Sequence, residues 1–153
     1  MLDLYLVLDL SNSMNTMGKP VVAESILQIL SSLNELYPEL EGISLHTQGW
    51  NGTLEGFYSI IQMCNEKYTM ILTDGFALYD NCRHDQQCKN YFRTNSNFLS
   101  IMLCGADALD ISQWDPFKKL QVEYAENILL IVEKILLLNQ SNLPLETADD
   151  GWE

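Results

Sequence analysis

Three oxygen-bearing side chains stand at every second position near the start of the chain. Residues 9–13 have the pattern D-x-S-x-S, with Asp9, Ser11 and Ser13. Leaving an extended strand, this spacing can turn one carboxylate and two hydroxyls towards one point. Such a donor set suits a hard cation such as Mg²⁺ or Mn²⁺. The alternative is a turn in which the two serines only cap the following helix.

A second aspartate occurs in the same context further along the chain. The apolar run 4–8 precedes Asp9, and the run 68–73 precedes Asp74. Runs of this kind are typical of strands buried on both faces of a parallel sheet, and ligands bind outside the carboxyl ends of such strands. Adjacent strands would bring the two aspartates within reach of one ion. Without a cation they would repel each other, so a bound metal explains the pair.

Strands alternate with amphipathic segments over most of the chain. The apolar spacing predicts helices over residues 20–36 and from about Thr53 to Cys64, and further strands over 43–47 and 98–104. This alternation predicts an α/β three-layer sandwich with a mainly parallel, Rossmann-like, doubly wound sheet that is reduced in strand number.

Two later regions are harder to interpret from periodicity. Residues 76–97 are polar, and we expect the Cys82–Cys88 segment within them to be a mobile, metal-free loop, since its Cys and His spacing fits no common zinc signature. A last helical region is predicted from about Trp114 to Leu136. Its part from Asn127 to Val132 is equally compatible with a fifth parallel strand.

Length and composition bound the class of protein. The 153 residues predict one domain, residues 1–138, followed by a flexible acidic tail, residues 139–153. A net charge of −13 argues against nucleic acid and anionic membranes as partners. No apolar run approaches the roughly 18 residues that span a bilayer, and the sequence has no recognisable leader. The four cysteines are too scattered for a disulfide scaffold. We therefore expect a cytoplasmic protein.

Three motifs in this order resemble the von Willebrand factor A domain family. They are D-x-S-x-S at residues 9–13, the threonine of Gly52-Thr53, and the aspartate of Thr73-Asp74-Gly75. The resemblance covers about residues 3 to 110 and implies a metal-ion-dependent adhesion site. It implies that Ser11, Ser13 and Thr53 coordinate Mg²⁺ or Mn²⁺ through hydroxyls. Asp9 and Asp74 would hold the ion directly or through water. Thr47 competes with Thr53 for the threonine role, but its strand context makes Thr53 the better candidate.

The resemblance implies binding chemistry and no enzymatic activity. An ion held by three hydroxyls and two carboxylates keeps an open position that a partner's Asp or Glu would complete, as in an adaptor beside an AAA+ ATPase or within a multi-protein assembly. The enzyme alternative is a divalent-metal-dependent phosphohydrolase or phosphotransferase using Asp9, although the D-x-D-x-T pattern needs an aspartate where Ser11 stands. A structural domain that has lost its metal is a third reading. We expect Asp74 at the rim of the sheet, where its removal spares the fold.

Overall fold

Five strands form one parallel sheet. The structure, a computed structural model, describes residues 2–38, 42–117 and 121–141. The strand order is β2-β1-β3-β4-β5, and every neighbouring pair is parallel. The strands are β1 (Leu2–Asp9), β2 (Ile43–Trp50), β3 (Tyr68–Thr73), β4 (Phe98–Leu103) and β5 (Val122–Tyr124).

Helices cover both faces of the sheet, so the predicted α/β three-layer architecture is confirmed. The helices are α1 (Lys19–Ser31), α2 (Leu33–Leu36), α3 (Leu54–Cys64), α4 (Phe76–Cys82), α5 (Gln86–Thr94) and α6 (Ile128–Ser141). Apolar residues of α1, α2 and α6 pack on one face of the sheet, and those of α3, α4 and α5 pack on the other. A short 3₁₀ helix (Asn12–Asn15) connects β1 to α1, and none of the helices in the described part is long and apolar enough to cross a membrane.

The strand order fixes where a ligand can bind. The chain adds β2 on one side of β1 and β3 on the other, so the connections leave β1 and β3 in opposite directions. In doubly wound sheets such a reversal places the ligand crevice at the carboxyl ends of the two strands. Asp9 is the last residue of β1 and Asp74 directly follows β3. Both aspartates therefore stand at the crevice, as their positions after buried strands predict.

The prediction of a mobile loop around Cys82–Cys88 was wrong. Residues 76–97 fold into α4 and α5, and both cysteines are fully buried. The helices form because cysteine and aromatic side chains of this segment face the core, although most of its other residues are polar. Asp85 begins α5, because its carboxylate accepts a hydrogen bond from the N–H of Cys88 (2.9 Å).

The end of the chain also differs from its prediction. The fifth strand is Val122–Tyr124, which pairs with β4. The segment from Asn127 to Val132 is helical instead, because its isoleucines and Val132 bury one face against the sheet. Helix α6 begins at Ile128 and not near Trp114, and it runs to Ser141, three residues into the predicted tail. The remaining tail, 142–153, lies outside the described residues.

Two predicted elements differ in their bounds. The second strand continues beyond Thr47 to Trp50, so its carboxyl end reaches the level of Asp9. The predicted helix over 20–36 begins one residue earlier, at Lys19, and is interrupted at Ser32 between α1 and α2.

Replacing Asp85 tests the cap of α5. Partial burial favours the protonated carboxyl, but hydrogen bonds from the Tyr58 hydroxyl and the Cys88 N–H outweigh it and lower the pKa of Asp85. We expect Asp85→Ala to lower the free energy of unfolding by about 1 kcal/mol at neutral pH, measured by urea denaturation. Because the folded pKa is lowered, this contribution is present above the unfolded value of about 3.9 and lost as the pH falls through the folded value.

The matched control is Asp85→Asn, which keeps a capping oxygen and should cost less. Equal losses for the alanine and asparagine variants would contradict a capping role for Asp85.

Candidate cation site

Loops that follow the first four strands meet at one end of the sheet. The backbone of Leu10 hydrogen bonds to Trp50, which joins the loops after β1 and β2 (2.8 Å). A Cβ on Gly52 would lie only 2.8 Å from the Cβ of Ser11, so the absence of a side chain at Gly52 lets these loops touch. The N–H of Leu109 donates to the carbonyl of Asp74 (2.8 Å), which joins the loops after β3 and β4.

Asp9 is buried, and its carboxylate is held by two donors. The residue is 2% exposed. Oδ1 accepts from the backbone N–H of Ser11 (2.8 Å), and Oδ2 accepts from the hydroxyl of Thr73 (2.6 Å). These bonds compensate the loss of water around the charge. Sequence reasoning did not assign Thr73 a role, although its place beside Asp74 at the end of β3 indicates that it meets the end of β1.

The hydroxyls of Ser11 and Ser13 lie side by side. Their Oγ atoms are 3.4 Å apart, because the chain turns into the 3₁₀ helix directly after Ser11. Ser11 stands at the start of that helix but makes no capping bond through its side chain, and α1 is preceded by Gly18. The alternative in which these serines serve only as helix caps is therefore wrong.

Thr53 is engaged in its own helix cap. Its hydroxyl accepts from the N–H of Gly56 (3.0 Å) and donates to Oδ1 of Asn51 (2.7 Å), and the residue is exposed. Thr47, the competing candidate, lies within β2 opposite Leu6, three positions before the carboxyl end of the strand. Of the two threonines, only Thr53 stands in a loop at this end of the sheet.

Asp74 forms a buried ion pair with Lys19. Both side chains are 0% exposed, and Oδ2 of Asp74 lies 3.0 Å from Nζ of Lys19. Oδ1 accepts from the N–H of Phe76 (3.3 Å). Asp74 directly follows β3, so it lies at the end of the sheet as expected, but its side chain is fully buried there. That its removal spares the fold stays a prediction, and the buried ion pair argues against it. Lys19 lies in none of the three motifs, and sequence reasoning missed it.

Two further oxygens surround the ammonium group of Lys19. Nζ donates to the carbonyl of Ser13 (3.0 Å) and to Oδ1 of Asp107 (2.9 Å), whose side chain is 39% exposed. Burial disfavours the charged ammonium, but the hydrogen bonds and charges of Asp107 and Asp74 outweigh it, so the pKa of Lys19 is raised. The same contact with Lys19 lowers the pKa of Asp107.

Three of the five predicted ligands stand in one turn of the chain, between Asp9 and Ser13. Asp9, Ser11 and Ser13 together offer a compensated carboxylate and two adjacent hydroxyls, which is the chemistry of a hard-cation site. Thr53 and Asp74 already bind other groups of the chain. Residues 2–38, 42–117 and 121–141 contain no cluster of three or more His, Cys, Asp and Glu able to hold a metal, so an ion here would depend on the serine hydroxyls.

Comparison with protein-family models, curated proteins and solved structures finds no match to this chain.

Removing one carboxylate at a time from around Lys19 tests how burial changes the contribution of each ion pair to stability. We expect Asp74→Ala to lower the free energy of unfolding by about 3–5 kcal/mol, because it leaves a buried ammonium short of its buried partner. Asp107→Ala is the matched variant, since it removes the same charge from the same ammonium at a half-exposed position. Its loss should be clearly smaller in the same urea titration. Equal losses would contradict the dominance of the buried pair.

Proposed function

We propose that this chain is an interaction domain of the von Willebrand factor A type that recognises an acidic side chain of a protein partner through a divalent cation. The observation that carries the proposal is the adjacency of the Ser11 and Ser13 hydroxyls, 3.4 Å apart, next to the compensated carboxylate of Asp9. This group lies at the reversal of strand order, where doubly wound sheets bind ligands.

The residues have distinct roles in this proposal. Ser11 and Ser13 would bind Mg²⁺ or Mn²⁺ through their hydroxyls, and Asp9 would bind it directly or through water, since Mg²⁺ keeps part of its hydration shell. Asp74 would remain paired with Lys19. A carboxylate of the partner would complete the coordination. We further propose a protein partner such as an AAA+ ATPase or a multi-protein assembly, in the cytoplasm.

The charge of the chain explains why an acidic partner would need the cation. At −13, the chain repels carboxylates at long range. A divalent ion at Asp9 would create a local positive potential, which makes the contact strong where the ion is present and weak where it is removed.

The environment of Asp9 favours binding over phosphotransfer. A nucleophilic aspartate must reach its substrate with a free oxygen. Both oxygens of Asp9 accept hydrogen bonds, and the residue is 2% exposed. A water molecule between Asp9 and the ion would allow the proposed binding role without direct contact between the carboxylate and the ion, whereas phosphotransfer requires direct attack by a carboxylate oxygen.

Removing the two serine hydroxyls tests the ion site directly. We expect calorimetry to detect Mn²⁺ binding to the full chain and the double variant Ser11→Ala/Ser13→Ala to weaken it at least tenfold, because the ion loses two oxygen ligands. The control is Ser25→Ala on α1, whose exposed hydroxyl donates to the carbonyl of Val21 (2.9 Å). The ion site is wrong if the double variant binds Mn²⁺ as tightly as the control.

Chelation tests the partner contact. Affinity purification of partners with and without EDTA, followed by titration of a purified partner, should show binding that weakens tens-fold or more on chelation. The reason is that losing a charge-assisted contact from a desolvated interface costs about 2–5 kcal/mol. A partner whose affinity is the same in EDTA would contradict the adaptor mechanism. Metal-dependent hydrolysis of a phosphoester by the purified chain would favour the enzyme instead.

A further inference from the structure

Lys19 occupies an unusual position for a buried cation. It is the first residue of α1, where the helix dipole disfavours positive charge. Gly18 precedes it in a left-handed conformation, and α1 has no capping side chain at this end. Long cationic side chains are almost never fully buried unless they are paired. A lysine that is 0% exposed here must therefore be stabilised by groups outside its own helix.

Three acceptors from three parts of the chain surround the ammonium. They are the carbonyl of Ser13 (3.0 Å), Oδ2 of Asp74 (3.0 Å) and Oδ1 of Asp107 (2.9 Å). An ammonium has three hydrogens, so its donor capacity is filled. The backbone also makes room for the side chain, because a Cβ on Gly105 would lie 2.5 Å from Cε of Lys19.

This contact determines what Asp74 can offer to another cation. Its Oδ2 is bound to Lys19 and its Oδ1 accepts from Phe76. Around the crevice, the three carboxylates of Asp9, Asp74 and Asp107 and the one ammonium leave two net negative charges. The ammonium is a permanent part of the fold and supplies some of the positive charge that a bound divalent ion would supply. It also repels such an ion.

We propose that Lys19 is a built-in competitor of the divalent cation, which keeps Asp74 out of the coordination shell and holds the affinity of the site for divalent ions low. This inference rests on the proposed function for the location of the ion, but it makes a separate claim about Lys19. Lys19 is an affinity-determining residue in this sense. Its removal frees the carboxylate of Asp74 for the incoming ion.

The test compares Mn²⁺ binding to the wild-type chain and to Lys19→Met by calorimetry. Methionine replaces the buried stem with an apolar side chain of similar length and removes the charge. We expect the variant to bind Mn²⁺ at least tenfold more tightly. Mn²⁺ should also raise its thermal unfolding midpoint more than that of the wild type, because the ion then stabilises Asp74 and Asp107.

Two controls separate this effect from a general change of charge. Lys67→Met removes the same charge just before β3, at the opposite end of the strand from Asp74, and should leave Mn²⁺ affinity within about twofold of the wild type. The double variant Lys19→Met/Asp74→Asn removes the carboxylate that the single variant frees, so it should lose most of the gain.

The outcomes distinguish this inference from the proposed function. Tighter binding by Lys19→Met supports the inference even if the wild type binds no Mn²⁺, a result that would overturn the proposed ion site in the natural chain. Equal binding by both proteins, or by neither, overturns the inference. If Lys19→Met is unfolded without metal, excess Mn²⁺ should restore its circular dichroism spectrum, and failure to do so also overturns the inference.

Discussion

The carboxyl end of the sheet is organised by the need to compensate buried negative charge. Asp9 and Asp74 stand at the ends of neighbouring strands and are at most 2% exposed. A carboxylate removed from water costs several kcal/mol unless donors or charges replace its hydration. Asp9 is compensated by neutral donors, from Ser11 and Thr73. Asp74 is compensated by a full charge, from Lys19.

These two ways of compensating a buried carboxylate have different structural consequences. One donor to Asp9, the N–H of Ser11, is local and lies in the turn that brings the serine hydroxyls together, whereas the other, the hydroxyl of Thr73, comes from the neighbouring strand β3. The ammonium of Lys19 instead links three distant parts of the chain: the start of α1, the end of β3 and Asp107 in the loop after β4. The geometry of the crevice therefore depends on charge compensation as well as on the apolar packing beneath it.

The sequence predicts those parts of the fold that local patterns determine. Strands β1, β3 and β4 are mostly apolar, since both faces of each are covered, and the ends of β1 and β3 place both aspartates correctly. Strand β5 has three residues at the edge of the sheet and no apolar run, so no pattern identifies it. The pair of Lys19 with Asp74 spans 55 positions, a distance over which periodicity carries no information. The one available signal is a lysine at the start of a helix, where its charge is unfavourable.

The two kinds of cation that can neutralise this crevice differ in how they are held. The ammonium of Lys19 is tethered to α1, so it loses no translational freedom when it binds Asp74. A divalent ion must lose that freedom and part of its hydration shell, which Mg²⁺ gives up reluctantly. At Asp74 the tethered cation has the advantage, because three acceptors already satisfy it. Within the described part of the chain, no ammonium binds the hydroxyls of Ser11 and Ser13, since the carbonyl of Ser13, and not its side chain, binds Lys19. A divalent ion would therefore bind on the serine side of the crevice, with the charge of Asp74 already compensated from within the fold.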